Sequence, residues 1–180
     1  VPKPSNTAKI THNLGLATWF GGSLFGQIAL NPTVDSISDK SERGRVTNEG
    51  WARFNAVELP AIAATLASWR FGGLRDDAEI RAPGLTRLKD VLLGGAAFNG
   101  VMSGILGARL ASQAASGQVP IQSGLKPSRD TPPEAAASQR WIAFFGTGAT
   151  TLSALVIAIS GVIETQKPKP RGVISKIFTS

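Results

Sequence analysis

The sequence predicts an all-α fold: a polytopic membrane protein with four transmembrane helices packed as one bundle, a single domain over residues 1–180. Three observations carry that expectation. The charges crowd into five zones, and between them lie apolar blocks rich in Gly, Ala, Leu and Phe. Three blocks, Ile10–Val34, Val91–Ala108 and Trp141–Ile163, contain no Asp, Glu, Lys or Arg. A spanning helix needs about 20 mostly apolar residues, whereas a core helix of a soluble protein keeps a polar face toward water. Finally, Trp51, Trp69 and Trp141 stand at block ends, where an amphipathic ring prefers the headgroup level. Trp19, inside the first block, is the exception.

The first helix is expected at about 12–31. Asn31-Pro32 supplies its stop, because the residue before proline is disfavoured in the helical region. The second, at about 50–70, is the weakest. Its block holds Arg53, Glu58 and Pro60, and only Leu59–Ser68 is free of charge. A three-span protein with an interfacial second segment is the alternative. The third helix, about 90–109, ends at Arg109, and the fourth runs over about 141–163. Residues 112–139, rich in Ser, Pro, Ala and Gly, read as an irregular extramembrane loop. Residues 165–180 form a basic tail, and Lys167-Pro168-Lys169-Pro170-Arg171 could lie on anionic lipid or dock on a partner.

With four spans, both ends share a side with the loop between the second and third helices. That side carries eleven Lys and Arg, against eight on the other. The bias places both termini in the cytoplasm, with the protein integral to a plasma (inner) membrane. The opening VPKPSNTAKITHN has no apolar core followed by a small-residue cleavage site, so it is expected to stay on the mature protein.

Composition narrows the chemistry. There is no Cys, hence no disulfide, thiolate metal site or cysteine nucleophile. One His, one Met and no Tyr leave few ligands for a metal or haem. The net charge of +7 raises nucleic acid as a partner. The basic residues flank apolar blocks instead of forming a stripe with interleaved aromatics, so no nucleic acid is expected. Neither a phosphate-binding Gly-rich loop nor a Gly-x-Ser-x-Gly elbow is present. The reading is therefore no enzyme, no resident cofactor and no metal.

Gly22-x-x-x-Gly26 and Gly100-x-x-x-Gly104 are small-residue pairs that let helix backbones approach closely. They mark either packing within the bundle, the preferred reading, or a dimer or partner interface. Gly21–Gly26 also resembles Gly94–Gly100, and Trp51-x-x-Phe54 resembles Trp141-x-x-Phe144, a faint parallel repeat that chance explains as well.

Among polar residues, Glu58 stands out. Ionisable groups at membrane depth usually face a partner or a water path. Arg53 lies five residues away, off the helical spacing, whereas Asn55, three away, is placed to add a hydrogen bond. The plainer reading, which is preferred, makes Glu58 a carboxylate at a helix start, with Pro60 in the first helical turn. His12 is the sole imidazole, a candidate haem ligand only with Met102 or a second copy of the chain, and more simply a polar group at the headgroup boundary. Asn13, Gln27, Asn31 and Asn99 read as bonds between helices.

The stretch His12-Asn13-Leu14-Gly15-Leu16-Ala17-Thr18-Trp19-Phe20-Gly21-Gly22 resembles a first-helix pattern of the copper-resistance D type and related small bundle proteins of bacterial plasma membranes. The resemblance covers eleven residues. It implies a bacterial membrane bundle with His12 as a metal ligand, whereas copper handling wants several Met or His and this chain has one of each. Taken together, the sequence points to a non-catalytic accessory or structural subunit of a larger membrane complex, in contact with lipid and other integral membrane subunits. The alternative is a small carrier or redox-linked membrane protein that uses Glu58 and His12.

Overall fold

Ser5 starts the first helix, its hydroxyl accepting a hydrogen bond from the Ala8 N–H at 3.1 Å. The computed structural model describes residues 4–113 and 119–167. Helix α1 spans Asn6–Phe25. It does not stop at Asn31-Pro32. It continues through a π-helical turn, Gly26–Leu30, a single α turn, Asn31–Thr33, and a 3₁₀ turn, Val34–Ser36. The reason is the wide turn. Asn31 keeps helical angles and donates to the Gly26 carbonyl, so the proline's missing N–H falls where the hydrogen-bond register changes. The chain turns extended only at Ile37.

Helix α2 spans Lys40–Phe71, ten residues longer at its start than the sequence implies. Asp39 caps it by accepting from the N–H groups of Ser41 and Glu42. The polar first half is held by ion pairs at helical spacing, Glu42–Arg45–Glu49–Arg53. Pro60 therefore sits inside a helix and Glu58 is not at a helix start. The plainer reading of Glu58 is corrected: the helix runs through Pro60, and α1 packs along this stretch.

Gly73, with φ 76°, turns the chain into the short helix α3, Leu74–Arg81. Helices α4, Pro83–Ser112, and α5, Pro133–Thr165, both begin with proline, which suits a first helical position. Each is long and apolar enough to cross a membrane. The segment expected as an irregular loop over 112–139 is ordered where it is described. Strands β1, Ile121–Ser123, and β2, Lys126–Pro127, form a small antiparallel hairpin, and α5 starts at Pro133. The basic tail beyond Lys167 lies outside the described residues.

The four long helices pack as two antiparallel pairs, α1 with α2 and α4 with α5. On α1 a Cβ at Gly15 would meet Ala61 and Thr65, one at Gly22 the Phe54 ring, and one at Gly26 the Trp51 ring. Thus the Gly22/Gly26 pair is filled from within the chain. Gly100 is the contact between pairs, against Ile62 and Trp19, whereas Gly104 lines a cavity, where a Cβ would come only within 3.8 Å of Asn55. The apolar core holds Leu16, Trp19, Ile62, Leu93, Ala96 and Val156. A second cluster, Leu110, Val119, Ile121 and Ala135, lies under the hairpin.

The distribution of polarity is unusual. Glu58, Lys89, Ser23, Thr65, Thr86 and Ser153 are buried, while Phe25, Ile28, Phe71, Val91, Phe98 and Phe144 are exposed. Buried hydroxyls are satisfied locally: Thr65, Ser68, Thr86 and Ser160 donate to carbonyls four residues back.

Replacing Gly22 by leucine forces the Phe54 ring aside and should lower stability by about 1–3 kcal/mol, as core overpacking does. Gly21, one residue away, has no neighbour to a Cβ within 4 Å, and leucine there should leave the melting temperature in mild detergent unchanged. Equal melting temperatures for the two variants would contradict the α1–α2 seam.

Candidate functional site

Glu58 points from α2 toward α1. Its Oε1 accepts a hydrogen bond from the Ser23 hydroxyl at 2.7 Å, and both residues are buried. No Lys, Arg or His nitrogen of the described residues lies within 4.0 Å of it. A carboxylate has about four acceptor positions, so Glu58 keeps most of its capacity open.

That capacity faces a cavity of about 490 Å³ enclosed by the four long helices. Ser23, Glu58 and Gly100 form its floor, Gln27, Asn55 and Ser103 its middle, and Thr47, Asn48 and Gln139 its far end. Apolar walls from Ile105, Leu110 and Ile142 run between these polar groups. Thr47 Oγ1, Asn48 Nδ2 and Gln139 Oε1 are buried atoms without a hydrogen-bond partner among the described residues. All three belong to residues that line this one cavity. Buried polar atoms are nearly always paired, so three orphans on one wall call for something to bond. Along α2, the eleven residues from Thr47 to Glu58 place the two polar ends about 16 Å apart, at a rise of about 1.5 Å per residue.

The hairpin closes the far end. The Gly124 N–H donates to the Asn31 carbonyl at 3.0 Å, and Gln139 Nε2 donates to the Ser123 carbonyl at 2.8 Å. Arg43 ties the hairpin to the end of α1 by donating to the carbonyls of Gln122 and Ile37 and pairing with Asp35 at 3.1 Å. Lys40 pairs with Asp130 at 2.7 Å. Gly44 makes room for the Val119 carbonyl. Sequence reasoning missed this cap. The signal was present in Ile121-Gln122-Ser123-Gly124-Leu125-Lys126, a short alternating run with a Ser-Gly turn.

The other residues singled out by sequence divide. Asn55 lines the cavity but makes no hydrogen bond to Glu58. Arg53 points outward, 80% exposed, and pairs with Glu49. His12 lies at the opposite end of the bundle, eleven residues or about 16 Å along α1 from Ser23. Glu58 and His12 therefore do not share a site.

His12 Nδ1 lies 3.0 Å from the Thr65 carbonyl, and Nε2 lies 3.1 Å from Lys89 Nζ. A carbonyl only accepts, so Nδ1 carries the proton and the Nε2 lone pair accepts from the ammonium. Lys89 Nζ also sits 3.8 Å above the Trp69 ring. Trp69 Nε1 donates to Asp90, which pairs with Arg75 at 2.9 Å. Nearby, the hydrogen bond to Asp77 holds the Arg81 guanidinium above its usual range. Among the described residues no group of three or more His, Cys, Asp or Glu is placed to hold a metal ion.

No protein-family model matches this chain, and no curated protein or solved structure matches it.

Ser23→Ala removes the only hydrogen-bond donor to Glu58 among the described residues. Leaving a buried acceptor unsatisfied should lower stability by about 1–3 kcal/mol. Denaturant unfolding in mild detergent checks this, and an unchanged midpoint would show that Glu58 has another partner.

Proposed function

We propose that this chain is an integral membrane protein with four spans whose bundle binds a small amphiphilic molecule between its helices, with Glu58 holding the polar end. One observation carries the reading: a buried carboxylate with a single hydroxyl donor and three residues with orphaned polar atoms line one cavity. The chemistry fits binding or carriage. Glu58 stands without a second acid or a base to share proton transfer.

The exposed faces support four spans. Besides α4 and α5, helix α1 turns Leu14 and Phe25 outward and the second half of α2 turns Val57, Leu59 and Phe71 outward, while His12, Ser23, Glu58 and Thr65 are buried. Water disfavours that arrangement and lipid favours it. The Lys and Arg count supports a plasma membrane with both ends cytoplasmic. The cavity opens between α2 and α4, where Leu59, Val101 and Ile105 both line it and are exposed. A ligand entering there comes from the lipid phase.

A second reading, an accessory subunit of a larger membrane complex, draws on the outer face of α4. Gly94 has no neighbour to a Cβ within 4 Å and lies beside exposed Val91 and Phe98, a stripe that a partner helix could cover.

Native mass spectrometry of the full chain, released gently from its membrane, separates the two. With dodecylamine or dodecanol as probe, the binding reading expects one molecule per chain. Gly104→Leu, which fills open space, should abolish binding. Glu58→Gln should weaken the amine by at least about 30-fold, the effect of truncating a buried charge pair. Binding unaffected by both variants would refute the cavity, and stoichiometric recovery of a larger assembly would favour the subunit.

A further inference from the structure

We infer that the pocket around Lys89, at the end of the bundle opposite the hairpin, is a binding site for a phosphate group. The inference is independent of the Glu58 cavity, because it rests on different helices' ends and on the opposite charge. The pocket has a volume of about 310 Å³, within the range of small-molecule sites.

Lys89 is 3% exposed, and its ammonium lines this pocket. It has three N–H donors. One reaches His12 Nε2, and the Trp69 ring supports the cation from one side. The remaining donors have no acceptor among the described residues. Nor does Lys89 form an ion pair there: no carboxylate oxygen lies within 4.0 Å. Burying a cation without a counter-charge is costly, and removing one partner of such a pair typically destabilises by several kcal/mol.

The nearby acids are engaged elsewhere. Asp90 accepts from Trp69 and Arg75, one bond on each oxygen. Asp77 accepts from Arg81, one bond on each oxygen. Glu164 lines the pocket without a hydrogen bond or ion pair among the described residues, and is exposed. Lys9 and Arg81 add positive charge to the walls, and Asn13 and Ser160 add neutral polar groups. His12, locked by the Thr65 carbonyl, holds the ammonium of Lys89, which lines the pocket. The geometry therefore presents a fixed, desolvated cation to an oxyanion. Glu164 competes with that oxyanion at the rim.

Because His12 is the only histidine in the chain, histidine labelled with ¹⁵N gives a single imidazole reporter inside this site. The experiment uses the full chain in a non-ionic, phosphate-free detergent. The probes are inorganic phosphate and dihexanoyl phosphatidic acid, with dihexanoylglycerol as the phosphate-free control. Saturable movement of the Nε2 resonance at millimolar probe is expected, and none with the control. Response to phosphatidic acid alone makes the source a lipid headgroup. Response to inorganic phosphate as well makes it a soluble phosphate. Lys89→Gln should weaken binding by at least about 30-fold. Glu164→Gln should tighten it by about threefold, because a like charge leaves the rim. Absence of movement with either phosphate probe overturns the site. So does weaker or unchanged binding in Glu164→Gln, a readout that stands even if Lys89→Gln fails to fold.

Discussion

Everything in this bundle depends on how closely α1 approaches α2. Gly15, Gly22 and Gly26 remove side chains along one stripe, and Ala61, Thr65, Phe54 and Trp51 occupy the space they leave. With backbones this near, short side chains reach across. Ser23 bonds to Glu58, and the His12 ring bonds to the Thr65 carbonyl. A wider separation would break both bonds and leave Glu58 buried without its donor, at a penalty of about 1–3 kcal/mol. The glycines therefore position the chemistry as well as the helices.

The second pair of helices is joined less uniformly to the first. Between them Gly100 allows contact with Trp19 and Ile62, but Gly104 leaves room beside Asn55. The core is thus dense around Trp19 and open toward the hairpin. Trp19 fills the bundle centre completely, with its indole nitrogen lacking a partner among the described residues. Its ring and the glycine opposite form the partition between the two polar regions. One region presents a carboxylate, and the other presents an ammonium.

The charge-free blocks made the long helices legible, because lipid-length apolar runs leave few other folds. Their ends were less legible. Proline at position 32 was read as a stop, but a π turn accommodated it. Proline at position 60 was read as a helix start, but α1 packs across that stretch and the helix runs through. In both places a local preference yielded to tertiary context. The polar start of α2 was invisible to a search for apolar runs, since ion pairs at helical spacing hold it instead. At the site, the chemistry of Glu58 could be singled out from its type and place alone. Its partner could not, because Ser23 lies thirty-five residues away and serine carries no pattern. Lys89 escaped notice for a related reason. It stands just ahead of an apolar block, where a lysine ordinarily reaches solvent, and only the fold shows His12 and Trp69 closing over it.

The hairpin between α4 and α5 bears on the order in which this chain can be assembled. Its anchors, Asn31, Arg43 and Gly44, all belong to segments that leave the ribosome long before it does. Until the hairpin folds back, Thr47 and Asn48 have no roof above them, and water can reach that end. Only after residues 119–127 emerge and fold back is the far wall sealed, and only with α5 does Gln139 arrive. The interior thus begins as an open, hydrated vestibule at the hairpin end and keeps, once folded, the lateral opening between α2 and α4.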